Sequence, residues 1–372
     1  MTSDVPCPPT ARTFVQRPAY RPPGSFRCFY VSPSWLDGDA PSGDVLAIKG
    51  MEPAAGDFAS VLRGFRRPGY SPHTIAEHLV FEEHKVPGVV TRAEALREAE
   101  RAAAIQSAHW QHFGTLAHVP FPLCVFQHAA GTTARVIDAL SGELSEPALH
   151  RIRQALVEPL AVYLYHYPAS PVRVRDLEMM LAGVDFRQRM CALLAICDPD
   201  VLIRRWTTTF VRMLYLGTLP ATLASLRTGA CCQPQNACLD GGFVDLESLT
   251  PLGAVPDDRA VYSALQISLD GLIETVQAFL TGADPATEAG RFDRRFVEHY
   301  LRTVIEEALA ANARPALTLD ARVGAYFSRQ LSLDALVDVM SAYYPGRDRE
   351  FEQDVRGFGE FGFALLKAAA RS

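Results

Sequence analysis

Lysine is nearly missing from this chain: Lys49, Lys85 and Lys367 are the only three among 36 basic residues, and all the others are arginine. Paired Cys-x-x-Cys modules and a His-Glu-x-x-His helix are missing as well, which removes the common sequence signatures of structural and hydrolytic zinc. No apolar run approaches the roughly 20 residues needed to cross a bilayer. The Pro-rich start from Met1 to Pro23 lacks the apolar centre of a signal peptide. A soluble, cytoplasmic protein without a membrane partner is therefore expected. There is no basic excess either: the formal charge is -6 and the pI near 5.9. Nucleic acid and anionic membranes call for a basic footprint, so small molecules and other proteins are the expected partners. No internal repeat is visible.

What is present is the composition of a globular chain, 372 residues with 48% apolar and 21% charged side chains. The eight cysteines are too few for a disulfide scaffold at this length. Cys231, Cys232 and Cys238 cluster, but adjacent cysteines present both sulfurs poorly to one tetrahedral ion, and plain burial as thiols is expected. His109 and His112 have no ligand set around them and read as structural.

Residues 1–40 are rich in proline and poor in periodicity, predicting an extended arm or irregular edge. Val45-Leu46-Ala47-Ile48-Lys49-Gly50 reads as a strand, fed by the turn residues Pro41-Ser42-Gly43-Asp44. Ser71-Pro72 supplies an N-cap and a first-turn proline for a helix from about 72 to 84, ended by Val86-Pro87-Gly88. Val89-Val90-Thr91 resumes an extended pattern, 92–112 is helical, and Pro120 to Phe126 is a strand leading to the connector Gln127–Gly131. Helical spacing then predicts helices near 147–165, 178–195, 199–226, 258–281, 291–312, 331–343 and 349–369. One non-helical island, 229–249, holds Ala237-Cys238-Leu239, the turn Asp240-Gly241-Gly242, and Phe243-Val244-Asp245-Leu246, a hairpin pattern.

Two places carry chemistry. Lys49 closes its strand, and a compact ammonium suits phosphate oxygens where a guanidinium fork would not fit; the alternative is a strand-end lysine in solvent. In the island, Asp245 lies nine residues after Asn236, so a short hairpin returns the carboxylate toward the amide. Such hard oxygen donors suit Mg²⁺ or Mn²⁺; the alternative is a surface hairpin whose Asp245 caps a turn. A helix carboxylate that anchors Lys49 could be Glu77, Glu82 or Glu83 on residues alone.

The segments Lys49-Gly50, Ile75-Ala76-Glu77-His78-Leu79, Glu82-Glu83 and Gly88 to Leu96 resemble the selenoprotein O family of kinase-like enzymes. The island from Pro234-Gln235-Asn236 to Phe243-Val244-Asp245-Leu246-Glu247 is similar to that family's metal-binding Asn and Asp, at the same spacing, and to aminoglycoside-phosphotransferase-like kinases. The resemblance implies an α+β, bilobal protein-kinase-like fold. Its small mixed N-lobe would span 41–128, after the arm 1–40, and its mostly helical C-lobe 129–372, with the metal hairpin at 229–249. It also implies ATP with Mg²⁺ or Mn²⁺ as cofactors. Lys49 would bind phosphate, Glu77 would anchor Lys49, and Asn236 and Asp245 would bind the metal.

The departures bear on activity. Where relatives carry His-Gly ahead of the metal Asn, this chain has Gly229-Ala230; the kinase base position holds Cys231, and Gln235 replaces an Asp. No Gly-rich loop precedes Lys49. Phosphoryl-type transfer depends mostly on positioning and electrostatics, so the expectation is an ATP- and metal-dependent transferase acting on a protein or small molecule. AMP transfer is favoured over phosphoryl transfer. The alternative is a pseudokinase scaffold that binds a partner protein without catalysis.

Overall fold

The computed structural model describes residues 28–31, 45–50, 88–141, 144–167, 173–174, 199–221, 231–283 and 294–327. Among these the protein is α+β, with seven α-helices and antiparallel strands. The chain divides into two compact units. Unit 1 comprises Met1–Ala103 with Val119–Leu181, and unit 2 comprises Ala104–His118 with Ala182–Ser372. The helices expected at 72–84, 178–195, 331–343 and 349–369 lie outside the described residues, and so does Glu77.

Unit 1 is organised by a sheet of five strands: β1 Cys28–Val31, β2 Val45–Lys49, β3 Val90–Thr91, β4 Phe121–Gln127 and β5 Leu160–Tyr167. All pairings are antiparallel. β5 is central, because β2 pairs with Tyr163–Tyr167 and β3 with Leu160–Ala161 along one edge while β4 pairs along the other. β1, inside the stretch expected to be an arm or irregular edge, pairs with β2 as an edge strand. Gly50 lets β2 end where β3 begins. Its φ is +86°, and a Cβ there would lie 2.5 Å from the Ala161 carbonyl oxygen, so only glycine fits.

The helix α1, Arg92–Phe113, starts at a reciprocal cap. The Thr91 backbone N–H and hydroxyl donate to the Glu94 carboxylate, and the Glu94 N–H donates to the Thr91 hydroxyl. Two short helices follow β4: α2 Thr132–Leu140 and α3 Glu146–Ala155. They close a small core of Val136, Leu140, Leu149, Ile152, Leu156 and Leu160.

The helix expected over 147–165 is corrected here: it ends at Ala155, and Leu160–Tyr167 is the strand β5. Pro159 has no N–H to continue a helix, and the residues after it alternate, with Tyr163, Tyr165 and Tyr167 buried and Val162, Leu164 and His166 half-buried. Unit 1 accordingly continues beyond the lobe change expected at 128.

Unit 2 contains α4 Pro199–Tyr215, α5 Asp258–Ala283, α6 Arg294–Asn312 and α7 Ala321–Phe327, with the two-residue strands β6 Thr218–Leu219 and β7 Thr250–Pro251. Its core is built from Trp206, Phe210 and Leu214 of α4, Leu265, Leu269 and Leu272 of α5, and Val297, Leu301 and Ile305 of α6, all buried. α4 stops short of the expected 226 because Gly217, at φ +69°, turns the chain and its N–H caps the Leu214 carbonyl. No helix among the described residues is long and apolar enough to cross a membrane.

Candidate functional site

In unit 1, Lys49 occupies the end of β2 with only 6% of its surface exposed. Its Nζ donates to Oε2 of Glu98 at 2.5 Å, and Glu98 is itself 1% exposed. The alternative of a strand-end lysine in open solvent is therefore removed. The ladder explains the enclosure. Cys28 of β1 pairs with Lys49, and Lys49 pairs with Tyr163 of β5. Directly opposed residues of antiparallel strands project to the same face, so thiol, ammonium and phenol form one row across the sheet. Tyr165, two residues along that face, brings its hydroxyl to 3.4 Å from the Cys28 sulfur.

Glu98 reaches this row from α1, where Ala95, Glu98, Ala102, Ile105 and His109 are all buried at three- and four-residue spacing. It pairs with Lys49, a partner for which the sequence suggests Glu77, Glu82 or Glu83, all of which lie outside the described residues. Burial beside the Glu98 charge and Cys28 pushes the Tyr163 phenol far above its ordinary value, burial being the larger cause, so it stays protonated.

In unit 2 the hairpin forms as expected. Ala237 and Phe243 bridge antiparallel, the Cys238 N–H donates to the Gly242 carbonyl, and the Val244 N–H donates to the Asn236 carbonyl. That last bond brings the Asn236 and Asp245 segments together at the open end. Asn236 is 5% exposed. Asp245 takes φ +60° and ψ +53°, the one non-glycine residue with positive φ among those described. Strain of this kind, about 1–3 kcal/mol, is maintained where the surroundings over-determine it and collects at ligand sites.

A short 3-10 turn, Leu246–Ser248, begins directly after Asp245 and presents Glu247 beside it. Carboxylate oxygens of Asp245 and Glu247 lie within 4.8 Å of one another. The two carboxylates fit the hard-oxygen preference of Mg²⁺ or Mn²⁺. Glu247 had no assigned role on sequence alone; its signal is the Asp-x-Glu spacing across a one-turn helix.

The hairpin tip is held from two sides. The Trp206 indole N–H donates to the Cys238 carbonyl at 2.7 Å, and the Thr209 hydroxyl to the Gly241 carbonyl at 2.9 Å, so α4 carries it from one side. From the other, the Phe243 N–H donates to the His118 carbonyl, and His118 Nδ1 approaches the buried Asp240 carboxylate at 3.4 Å. The segment before His118 is pinned to α1. Gln106 bonds the Ala117 N–H and carbonyl, and His109 Nδ1 bonds the Thr115 carbonyl at 2.7 Å.

Cys231, which the resemblance would place at the kinase base, is fully buried, as are Cys232 and Cys238, and all three are free thiols. Burial first, then Cys232 and the Asp245 charge, push the Cys231 thiol well up. It is protonated and cannot take a proton. Gly229 and Ala230 lie outside the described residues. Of the four residues expected to act, Asn236 and Asp245 lie in unit 2 on segments joined by the bond from the Val244 N–H to the Asn236 carbonyl, Lys49 stands in unit 1 with Glu98 as partner, and Glu77 is not described. No protein-family model and no curated protein matches the chain.

Proposed function

We propose that the protein is an ATP- and metal-dependent transferase of the protein-kinase-like type, with a bilobal arrangement, acting on a protein or small-molecule acceptor. The observation that carries this reading is the enclosed Lys49–Glu98 pair, a strand lysine answered by a helix glutamate. A buried ion pair adds little stability, since apolar residues of like volume do as well or better. Its presence in a chain with only three lysines among 36 basic residues supports a role for the ammonium itself. In kinases the equivalent pair holds the lysine toward nucleotide phosphates.

On this reading Lys49 binds phosphate oxygens and Glu98 fixes its direction, while Asn236, Asp245 and Glu247 offer oxygen ligands. A divalent cation held there would neutralise charge developing on the transferred group. AMP transfer is favoured over phosphoryl transfer, on the resemblance to selenoprotein O. An acceptor hydroxyl oxygen bonds to the α-phosphorus, the bond to the bridging oxygen breaks, pyrophosphate leaves and the hydroxyl proton passes to solvent. Cys231 takes no part in that proton transfer.

The test uses ATP labelled at the α- or the γ-phosphate, with Mg²⁺ or Mn²⁺. Transfer of α-label to the protein or an acceptor is expected, with loss in Lys49→Ala and Asp245→Asn. Asparagine tolerates positive φ, so the second variant removes charge with little added strain. Label from the γ-phosphate alone would replace adenylylation by phosphorylation. The second reading, a pseudokinase scaffold, is favoured by the protonated Cys231 at the base position. Metal-dependent ATP binding without transfer of either label would establish it.

A further inference from the structure

Arg204 and Arg212 lie about two turns apart on α4 and are held in opposite ways. Arg204 pairs with two carboxylates, those of Asp200 and Glu307. Arg212 has no carboxylate among the described residues, and three neutral groups fix it instead. Its Nε donates to the Asn312 amide oxygen at 2.8 Å, its Nη1 donates to His109 Nε2 at 3.2 Å, and its Cζ stands 4.6 Å from the centre of the Phe113 ring. His109 is the acceptor in that bond because its Nδ1 proton goes to the Thr115 carbonyl. The guanidinium is half-buried, and its Nη2 opens to solvent with no acceptor among the described residues. A fork held on three sides with N–H groups to spare is preorganised for an anion. Arg314, two residues beyond Asn312, donates to the Ala311 and Ala313 carbonyls and likewise has no described carboxylate partner. The C-terminal end of α6 supplies roughly half a negative charge, short of the two guanidiniums beside it.

Apolar surface adjoins this cation. Trp110, three residues before Phe113 and so its neighbour on the surface of α1, is 60% exposed. Leu116, in the turn that the His109–Thr115 bond folds back, is exposed as well. All of these residues belong to unit 2.

We propose that Arg212, Phe113 and Trp110 form a docking surface for an acidic segment of a partner protein, one that carries an Asp or Glu carboxylate beside an aromatic or aliphatic side chain. The carboxylate accepts from the unused N–H groups of Nη1 and Nη2, and the neighbouring side chain covers Trp110. Tryptophan and arginine are residue types in which interface binding energy concentrates. Charge complementarity selects the occupant, since two arginines without counter-charges attract an acidic segment and repel a basic one. A free phosphate would engage the guanidinium and leave Trp110 and Leu116 uncovered. A two-fold dimer about this face would set the same cations against each other. The proposal does not rest on the nucleotide reading.

A random heptapeptide library displayed on phage is selected on the full-length protein, with counter-selection on Arg212→Gln. The recovered sequences are expected to carry an Asp or Glu beside an apolar residue. As synthetic peptides they should bind Arg212→Gln weaker than wild type by on the order of tenfold or more. Changing the peptide carboxylate to the amide should cost as much in wild type and nothing further in Arg212→Gln, which places that carboxylate on Arg212. Trp110→Ala, at an exposed position, should keep the thermal midpoint and weaken both peptides alike. Should Arg212→Gln fail to fold, Arg212→Lys, which keeps the charge and loses the fork, takes its place. Recovery of no peptide, of peptides without an acidic residue, or of peptides bound equally by wild type and the variants overturns the proposal. Inorganic phosphate that displaces the peptide at equal concentration would reduce the surface to an anion site. A concentration-dependent dimer lost in Trp110→Ala would assign the face to a second copy; either result also overturns it.

Discussion

Enclosing an ammonium and a carboxylate costs several kcal/mol per ion, and the contact between Lys49 and Glu98 at 2.5 Å offsets part of it. Lys49→Met leaves Glu98 behind and should lower unfolding stability by about 3–5 kcal/mol, read from urea denaturation. Lys49→Met combined with Glu98→Leu should return most of that loss, since neither charge then remains. His109 gives a second test at this scale. Its Nδ1 donates to the Thr115 carbonyl and its Nε2 faces the Arg212 guanidinium at 3.2 Å, so the ring is a neutral acceptor wedged against a cation. Arg212 also stacks over Phe113 and donates to Asn312. Burial, then the Arg212 and His118 charges, lower the His109 pKa from 6.5, partly opposed by the Thr115 bond. The unfolded chain therefore binds the proton more readily. The stability from neutral His109 is complete above pH 6.5 and is lost as pH falls from there through the lowered folded value. His109→Gln should flatten the drop in unfolding free energy between about pH 7 and 5 relative to wild type.

Glu98 was not legible as the partner of Lys49 in the sequence, where Glu77, Glu82 and Glu83 were the candidates. Glu94, Glu98 and Glu100 share one helix; the apolar stripe of Ala95, Ala102 and Ile105 sets Glu100 apart, but Glu94 lies on the same face as Glu98, where it closes the cap with Thr91. The strand end at Lys49 and the hairpin between Asn236 and Asp245 were legible because strand end and hairpin spacing are local properties.

Among the elements, the hairpin tip is the most sensitive. Gly241 has φ +97°, and a Cβ there would stand 2.2 Å from the Arg205 Cβ. Gly241→Ala should cost roughly 1–3 kcal/mol from backbone strain alone, with the clash added, seen as a lowered thermal midpoint. Because α4 holds the tip through Trp206 and Thr209, the same variant should also weaken metal-dependent ATP stabilisation. β5 shows why elements are harder to read than residues. Leu156 and Leu160 stand four apart and extend the periodicity of α3, while Tyr163, Tyr165 and Tyr167 alternate by two; both periods fit the overlap, and the three strands that settle the matter are remote in the sequence. α1, with 22 residues and a closed cap, was legible almost to the residue.

For the whole molecule the charge balance leads to a plain expectation. With a formal charge of -6 the protein should pass a heparin column unretained at about 0.15 M salt, because counterion release needs a basic surface to drive it. Retention would reveal a basic patch that the total conceals. The α+β class was legible from element order. The division into units was not, since unit 1 includes β5 and so continues past the connector where the change was expected.

The central place of β5 also governs how the protein is made. β2 leaves the ribosome more than a hundred residues ahead of its partner Tyr163–Tyr167, an interval of several seconds or more at about 5–20 residues per second. Through that interval the nascent Val45-Leu46-Ala47-Ile48 run has β1 beside it and an open edge opposite, the state in which strands recruit other chains. Lys49 closes that run with a charge, and so acts as a gatekeeper during synthesis before it is enclosed with Glu98.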